Sequence, residues 1–585
     1  MKLHVLLHFA LVLFTLPSFC QTSFCPNDPP RNPYLADSPY PTYHRNSYAQ
    51  ASTCLAGPLP SDNLLIKAKK QIEGGTSPWV YLSDKYPNGE RVLYYSNATH
   101  VFKFIDNGDD LVTVDSLRID FDPITSFGWN FLLTKDKVWF TYDPKYNPDR
   151  NQYTRIFKLT DADVTDPYSE IVMVDRLNLG DYGIEKVNNF NLNYNGELVF
   201  TSDGNEATGR AFAGVIDQDF NLLDTLSYPM LPDEIVSHNA FPIDENNSFY
   251  RLTTHRLIKF DWDGKELSID WQAYYDFVND GPTGSFAEGS GTTPTLMGWG
   301  EGNDQLIVVA DGHANNNLIA FWRELPPDWE GKPGRDIRFA DAISIPFAVA
   351  SNNTFQSIEN SPTVFGYEVA IAQFNGFLGY DCDNVKGVQK FRWDTTEDKF
   401  VLEWATNDVN MNGVLLYSEG SNLLYGSGKE ADCNYYYYAL DWDDGSLAFK
   451  KLLGPEGTFL DDPFYDAGSN NIIDDEGNIY FPGGSSLIKL EKLQDPLAVA
   501  EIPTDVVTIY PNPTTGHVNI QNTAFANKAW KLQIFSSTGT SLFEKNISGA
   551  PQYEVDISHL AAGIYFVVIT SGDQVIRKKL VKERQ

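Results

Sequence analysis

Basic residues are scarce in this chain of 585 residues. Lys and Arg number 44 against 78 Asp and Glu, so the formal net charge is −34. Such an excess of negative charge repels phosphate backbones and anionic lipid, which argues against nucleic acid and membrane surfaces as partners. It suits solubility outside a cell, or association with divalent cations. Aromatic residues, at 14 %, are plentiful and indicate a folded chain.

Long apolar runs are also missing, except for a short one at the start, "MKLHVLLHFALVLFTLPSFCQ" from Met1. A basic residue, a brief apolar stretch and small residues near Cys20 predict a secretory signal peptide, residues 1–20, cleaved before Gln21. The run is too short for a membrane anchor. Phe19 is a poor neighbour for a lipidated cysteine, which disfavours a lipoprotein. We therefore expect no transmembrane segment in the mature chain.

Cysteine is rare, with five residues in the whole chain. Four remain after the predicted cleavage, and an even count in an exported protein indicates disulfides. Four cysteines allow three connectivities, of which proximity favours Cys25–Cys54 and Cys382–Cys433. Their spacings resemble neither a zinc site nor a redox pair.

Helical periodicity is absent from the middle of the chain, where short strands alternate with Asp, Asn and Gly turns. A hairpin unit recurs eight times, at spacings of about 40 to 60 residues. The copies begin at His100, Tyr153, Ala211, Arg256, Asn317, Val388, Tyr436 and Gly477. Apolar segments ahead of several hairpins, from Asn195, Asn303 and Asn412, are interpreted as inner strands.

Such repeats in an all-β chain predict a β-propeller of eight blades, with seven as the alternative. The final unit is short, as expected if an N-terminal strand completes it and closes the ring. Stacked β-sandwiches are the second choice, because blades of one ring explain the shared hairpin better. We predict a signal peptide, an N-terminal extension, a propeller, a linker and a C-terminal domain, at 1–20, 21–60, 61–495, 496–503 and 504–585.

The hairpins resemble the repeat of pyrroloquinoline-quinone (PQQ) propellers, with "YALDWDDGSLAFK" from Tyr438 as the nearest match. The resemblance concerns form and implies a fold rather than an activity. Enzymes of that family need an Asp base, a Ca²⁺ held by Glu and Asn, and a flat aromatic floor. No confident set of such ligands is found, so PQQ binding is disfavoured.

The C-terminal segment from Thr504 differs from the rest, with eight basic against six acidic residues and six or seven short alternating strands. This pattern predicts a small immunoglobulin-like β-sandwich. Four motifs stand out in order: "YPNPTTGHVNI" from Tyr510, "IFSSTG" from Ile534, "DISHLAAGIYFVVI" from Asp556 and "IRKKLVK" from Ile576.

Together these motifs resemble the type A C-terminal sorting domain of the type IX secretion system of Bacteroidetes. The resemblance implies recognition by that machinery in the periplasm, then secretion to the medium or attachment to the outer surface. A generic carbohydrate-binding or immunoglobulin-like sandwich is the alternative. The residues that carry the implied sorting signal are Tyr510, Pro511, Asn512, Pro513, Gly516, Gly563, Tyr565, Lys578 and Lys579.

The densest polar stretch in the propeller begins at Phe286, "FAEGSGTTPTLMGWGEGNDQLIVVADGHANNN". Its glycines permit close backbone approach, as at a propeller axis. The stretch therefore offers candidate ligand-binding residues at a central pocket, although such runs are also common in blade connections. These candidates are Glu288, Ser290, Thr292, Thr293 and Asn315.

Catalytic candidates are weaker. His238 and His255 flank predicted inner strands in a way loosely similar to arylsulfotransferase propellers, where a central His acts as nucleophile or acid. Asp311 and His313 are further candidates, but a G-x-S-x-G nucleophile elbow is absent. An ordinary hydrogen-bonded role explains each of these residues equally well.

Acidic turns at Asp261, Asp441 and Asp474 lack the spacing of a Ca²⁺-binding loop and are typical of hairpin tips. The surrounding negative potential still leaves weak Ca²⁺ binding open. The run "NYYYYALDW" from Asn434 places alternate tyrosines on opposite faces of a strand, where packing between blades is the favoured role.

Two functions follow for the propeller. The first is a binding or scaffold module for a glycan, peptide or surface partner. The second is an enzyme that uses the central funnel, either a quinone- or metal-dependent oxidoreductase or a hydrolase, lyase or transferase. Convergent charged or His side chains in one pocket would distinguish the enzyme from the binding module.

Overall fold

The computed structural model describes most of the chain from residue 25 to residue 583. It divides the chain into two compact units, Met1–Lys492 and Leu493–Gln585. Within 25–583 the description omits 70–71, 73–78, 98, 109, 120–130, 144–153, 205–207, 238, 276–289, 291, 314, 350–357, 359, 374–381, 383–386, 456–463, 465–469, 484–485, 494–506, 523–528, 537–540, 549 and 572–573.

The first unit is built from 32 described strands and one short 3₁₀ turn, Leu179–Tyr182. In chain order the strands are β1 (Ser52–Thr53), β2 (Leu64–Lys69), β3 (Val80–Leu82), β4 (Leu93–Ser96), β5 (His100–Asp106), β6 (Leu111–Arg118), β7 (Leu132–Leu133), β8 (Val138–Asp143), β9 (Arg155–Asp161), β10 (Ile171–Asn178), β11 (Val187–Leu192), β12 (Leu198–Ser202), β13 (Arg210–Ile216), β14 (Leu222–Pro229), β15 (Phe249–Leu252), β16 (Arg256–Trp262), β17 (Leu267–Tyr274), β18 (Thr295–Met297), β19 (Leu306–Ala310), β20 (Asn315–Trp322), β21 (Phe339–Val349), β22 (Thr363–Phe365), β23 (Glu368–Ala372), β24 (Val388–Asp394), β25 (Lys399–Thr406), β26 (Asn412–Ser418), β27 (Leu423–Lys429), β28 (Asn434–Asp441), β29 (Leu447–Pro455), β30 (Ile472–Ile473), β31 (Ile479–Gly483) and β32 (Ser486–Lys492).

These strands form eight sheets among the described residues, which we call blades 1 to 8. The blades are β3–β6, β7–β10, β11–β14, β15–β17, β18–β21, β22–β25, β26–β29 with β1, and β30–β32 with β2. Each of the eight hairpin repeats falls in its own blade. The repeats are the third and fourth strands of blades 1 to 7, except in three-stranded blade 4, where they are the last two.

Apolar side chains fill the space between every two neighbouring blades. Separate buried clusters join blades 2 and 3, 3 and 4, 4 and 5, 5 and 6, 6 and 7, and 7 and 8, and one more joins blade 8 to blades 1 and 2. The series returns to its starting point, so the unit is a closed β-propeller. The all-β propeller fold predicted from the repeats is confirmed.

The ring closes through a strand from the other end of the unit. Strand β2 pairs antiparallel with β32, from Leu64↔Lys492 to Lys69↔Leu487, and supplies the outermost strand of blade 8. This is the closure that the short final repeat predicted. It removes the open sheet edges that would otherwise flank a gap between the first and last blades.

Ion pairs between strands join blade 1 to both of its neighbours. The ammonium of Lys103 in blade 1 lies 2.5 Å from the carboxylate of Asp161 in blade 2, and both side chains are fully buried. Lys489 in blade 8 pairs in the same way with Asp106 in blade 1. Asp106 follows Lys103 by three residues on the same strand, so blade 1 pairs with blade 2 through the lysine and with blade 8 through the aspartate.

Three tryptophans make hydrogen bonds between blades, and each donates its indole N–H to a carboxylate of the preceding blade. The donor and acceptor pairs are Trp262 to Glu197 at 2.7 Å, Trp393 to Asp304 at 2.8 Å and Trp442 to Glu368 at 2.6 Å.

The second unit is a seven-stranded antiparallel sandwich among its described residues. Its strands are β33 (Val507–Tyr510), β34 (His517–Asn522), β35 (Ala529–Ser536), β36 (Ser541–Ser548), β37 (Gln552–Asp556), β38 (Gly563–Ser571) and β39 (Gln574–Lys582). One sheet has the order β33-β34-β37 and the other β36-β35-β38-β39. Side chains from both sheets share one apolar core, which is why strands such as β35 and β38 alternate buried and more exposed residues.

No helix long and apolar enough to span a membrane occurs among the described residues.

Candidate functional site

The axis of the propeller is occupied by residues 25–57, which we call the axial segment. Most of its side chains from Ala36 to Thr53 are buried, although the segment forms almost no regular structure. Its sequence, rich in Pro, Tyr and Asn, has no strand periodicity. The order of this segment therefore comes from contacts with the surrounding blades.

The axial segment contacts blades all around the ring. Its backbone or side chains hydrogen-bond to the innermost strands or to the loops that flank them, and these bonds replace the water that would otherwise solvate the inner edges. The bonds include Leu82 with Ser38, Leu133 with Ala36 and Pro41, Leu192 with Asn32, Ile243 with Ser47, Leu296 with Tyr48, Val364 with Gln50, and Tyr417 with Ala51.

A disulfide and an ion pair cross-link the axial segment. Cys25 and Cys54 form a disulfide, one of the two pairs that proximity favoured. Arg45 donates to Asp28 at 2.8 Å across the loop that the disulfide closes. Cys382 and Cys433 form the second disulfide in blades 6 and 7.

The axial segment also holds an unusual backbone. His44, Arg45, Ala49 and Ala51 all have positive φ, at 52°, 78°, 61° and 52°. Non-glycine residues adopt this left-handed region at a cost in free energy, and they keep it only where the surroundings over-determine it. The blades therefore impose the conformation of the segment.

His44 is a fully buried titratable residue of the segment. Its ring is 0 % exposed, packs against Tyr43 with centroids 4.1 Å apart, and its Nε2 lies 3.1 Å from the hydroxyl of Thr293. Its Nδ1 is buried and has no hydrogen-bond partner among the residues that the structure describes. Burial lowers the pKa of His44 to about 3, so the ring is neutral at physiological pH. No feature of the sequence pointed to this residue, because its role depends on the folded axis.

Three of the described ligand-binding candidates, Ser290, Thr292 and Thr293, lie just before β18, the innermost strand of blade 5. Ser290 donates to the carbonyl of Ala310, and Thr292 accepts from the N–H of that residue at 3.1 Å. Thr293 meets His44, as described above, and Asn315 is exposed at the start of β20. Glu288 lies outside the described residues.

Asp311 and His313 lie together in the loop between β19 and β20. Asp311 is 2 % exposed, and its carboxylate accepts from the backbone N–H and the side-chain amide of Asn317 at 2.8 and 2.7 Å. Burial raises the pKa of Asp311. The Nε2 of His313 is 3.9 Å from the carboxylate of Asp311, which is too far for a hydrogen bond.

His255 lies in the turn that joins β15 to β16, where its Nδ1 is 2.8 Å from the hydroxyl of Thr254. Its backbone carbonyl accepts from the N–H of Tyr275. His238 lies outside the described residues, so the pairing of the two histidines remains a prediction.

In the acidic turn between β16 and β17, the aspartate side chain is bound by backbone N–H groups. Asp263 of the β16–β17 turn accepts from the N–H groups of the two residues after Gly264, which has φ of 88°. Within the described part of the chain, no group of three or more His, Cys, Asp or Glu side chains is arranged to hold a metal ion.

The tyrosines of β28 alternate as expected. Tyr435 and Tyr437 join the cluster between blades 7 and 8, whereas Tyr436 and Tyr438 join the one between blades 6 and 7.

The predicted sorting residues at the start of the sandwich form one turn. The peptide bonds before Pro511 and Pro513 are both cis. Asn512 binds strand β39 as a neighbouring strand would, since its amide donates to the Lys579 carbonyl and accepts from the Val581 N–H at 2.7 and 2.9 Å. A Cβ on Gly516 would lie 3.2 Å from the side chain of Ser558, so only glycine fits without adjustment.

The later sorting residues belong to the four-stranded sheet. Gly563 opens β38, and Tyr565 turns into the core while its hydroxyl donates to the Ala561 carbonyl at 2.6 Å. Lys578 and Lys579 lie on β39, with Lys579 exposed opposite Phe566.

One region of the chain matches a known family model. Residues 508–583 match the family model described as "Secretion system C-terminal sorting domain". An uncharacterized protein of Archaeoglobus fulgidus is 26 % identical over 461 residues, covering 73 % of this chain and 83 % of its own length.

Solved structures give weak similarities. A europium-containing methanol dehydrogenase has a TM-score of 0.40 at 10 % identity and covers 76 % of this chain and 88 % of its own. The C-terminal domain of Pseudomonas aeruginosa PilY1 has a TM-score of 0.36 at 11 % identity and covers 69 % and 93 %. The propeller assignment depends on the sheets of this chain, and the sandwich at its C-terminal end is a secretion-system sorting domain.

Proposed function

We propose that this chain is an exported β-propeller protein, delivered through the periplasm to the cell surface or the medium. In this proposal the propeller is a binding or scaffold module for a glycan, a peptide or a surface partner. The observation that carries the second part is the axial segment, because it lies along the inner strands, where a propeller enzyme would hold its substrate.

The export route is supported by the sorting domain. The family match covers residues 508–583, and its description indicates export by the type IX secretion system. The turn at Asn512 and the tight packing at Gly516 place the motif residues in a folded sandwich rather than in a loose tail. Release into the medium and attachment at the outer surface both remain within the proposal.

The binding role is supported by what the axis contains. A central-funnel enzyme needs substrate to reach its reacting groups. His44 and Thr293 form the one His–hydroxyl pair that we describe at the axis, and both are 0 % exposed. Ser290 and Asp311 are likewise committed to backbone partners. The inner edges thus bind a segment of the chain itself, which leaves outward surfaces for partners.

Deleting residues 504–585 tests the export route. In a host with a type IX system, the full chain should reach the medium or the outer surface, and the deleted chain should accumulate in the periplasm. Fusing residues 493–585 to a periplasmic passenger protein is the converse test, and it should carry the passenger outward. Normal export of the deleted chain would overturn the proposed route.

A ligand screen on the full chain tests the binding role. The melting temperature is measured with a panel of glycans and peptides, and separately with Ca²⁺ and PQQ. A ligand that binds only the native state raises the melting temperature by mass action. We expect a rise with a glycan or peptide. A rise with PQQ plus Ca²⁺ alone would favour the oxidoreductase alternative instead.

A further inference from the structure

The two outer faces of the sorting domain differ in polarity at one end. The face of the three-stranded sheet, which we call the polar face, exposes Thr508, His517, Gln521, Gln552 and Glu554 together with the ring of Tyr510. One end of the outer face of the four-stranded sheet, which we call the apolar face, presents Phe535, Leu542, Ile564, Phe566 and Val568, whereas the other end carries the Lys531–Glu544 ion pair. Since both sheets bury their inner sides in the same core, the difference does not come from packing of the sandwich itself.

The strand register shows that the apolar residues lie side by side. Phe535 on β35 is directly opposite Phe566 on β38, and Ile564 is opposite Val581 on β39. Directly opposed residues of an antiparallel pair point to the same side of the sheet. Their neighbours Ile534 and Val567 are opposed in the same way and are fully buried in the core. Phe535 and Phe566 therefore point outward together.

Exposure of these side chains is substantial. Ile564 is 44 % exposed, Phe566 42 % and Leu542 39 %. Contiguous apolar surface is costly in water, and where it persists on a soluble domain it marks a contact with a partner. Lys579, opposite Phe566, adds a positive charge at the edge of the patch. The complementary surface would be apolar with a carboxylate at its rim.

The size of the face limits the kind of partner. Four strands spaced about 4.8 Å apart, with nine residues in β38 at about 3.4 Å each, give a whole outer face of roughly 550 Å², of which the apolar face is only a part. Stable complexes bury about 800 Å² on each partner, and transient contacts bury less. A second copy of this chain held permanently on the face would need more surface. A receptor that binds and then releases the chain fits the available area.

We propose that the apolar face is the surface by which the export machinery recognises this sorting domain. The proposal rests on the export route proposed above. The partner is a protein of the secretion system, with an apolar contact patch and an acidic group placed to meet Lys579. The polar face of the same sandwich is not part of the contact.

The test compares matched charge insertions on the two faces. Phe566→Glu and Ile564→Glu each place a carboxylate on the apolar face, and Thr508→Glu and Gln521→Glu place one on the polar face. Each full-length variant is expressed in a host with a type IX system, and its amounts in the periplasm and outside the cell are measured. We expect export to fall at least tenfold for the apolar-face variants and less than twofold for the polar-face variants.

Controls separate loss of recognition from loss of folding. Phe566→Leu keeps an apolar side chain at the contact and should therefore export better than Phe566→Glu. The melting temperature of each purified variant should match its polar-face counterpart. A photo-crosslinking residue at position 566 should form an adduct with a component of the secretion system, and one at position 521 should not. An adduct with a second copy of the chain, or with lipid, would overturn the proposal.

The outcomes also separate this proposal from the export route. If Phe566→Glu and Ile564→Glu export normally while deletion of 504–585 blocks export, the route holds and the apolar face is not the recognition surface. If the deletion exports normally, the route itself is wrong.

Discussion

The propeller and the sorting domain are both antiparallel β structures, but different interactions hold them together. The propeller contains both disulfides, buried ion pairs such as Lys103–Asp161, and a chain segment along its axis. The sorting domain contains no cysteine, and its ion pairs, such as Lys531–Glu544, are exposed. The difference indicates that the propeller is stabilised by covalent and ionic cross-links, whereas the sorting domain depends on one small apolar core.

Breaking a buried ion pair of the propeller should produce the largest change in the free energy of unfolding. Lys103→Ala leaves the carboxylate of Asp161 buried without its cation, and we expect the free energy of unfolding of the propeller to fall by about 3–5 kcal/mol. Urea denaturation of the full chain measures the change. Lys158→Ala is the matched control, since Lys158 precedes Asp161 by three residues as Lys103 precedes Asp106, but it bonds near the surface to the carbonyl of Gln218.

The sorting-domain counterpart is Lys531→Ala, for which no measurable change is expected, because exposed pairs contribute little. Equal losses from Lys103→Ala and Lys531→Ala would remove the contrast between the two units.

Opening the axial loop should have the next largest effect. The disulfide between Cys25 and Cys54, which are 29 residues apart in sequence, restricts the unfolded chain, and Cys25→Ser with Cys54→Ser should lower the free energy of unfolding by about 3–4 kcal/mol. Limited proteolysis should also cut first within residues 25–57. Resistance of that segment to protease in the double variant would mean that the blade contacts alone hold it.

The smallest effect is a pH dependence from His44. Because burial lowers the pKa of His44 to about 3, the folded state binds fewer protons than the unfolded state between that pH and about 6.5. Stability from this residue is therefore complete above about pH 6.5 and is lost as the pH falls, by about 2 kcal/mol at pH 5. His44→Asn, which tolerates positive φ, should remove this part of the slope between pH 5 and 7.

Parallel pH profiles for His44→Asn and the unchanged chain would show that His44 is not buried in solution.

The repeats predict the ring well because each hairpin carries its own signal. Strands β16 and β17 show alternation on both sides of a Gly264 turn, and β2 was expected from the missing strand of the last repeat. The inner strands are harder to predict. The segments from Asn195 and Asn303, interpreted as inner strands, are the second strands of their blades, β12 and β19. The true innermost strands face the axis, and β11 accordingly reads "VNNFNL" without apolar alternation.

The candidate site could be predicted only in part. Thr293 was expected near a central pocket, and it does lie at the axis, but it meets His44 of the same chain instead of open space. Local sequence could not reveal this, since residues 25–57 take their shape from bonds to residues hundreds of positions away, such as Gln50 with Leu296. The sorting motifs were recognisable because their turn and core residues are close in sequence within a short domain.

Strand β2 imposes an order of events on biogenesis. It is synthesised before seven of the eight blades, yet its partner β32 ends the propeller, and the nearby Lys489–Asp106 pair joins residues 383 positions apart. A chain synthesised from its N-terminal end cannot close the ring until nearly all of the propeller has been made. The sorting domain lies beyond β32 in the sequence, so it is completed only after the strands that close the ring.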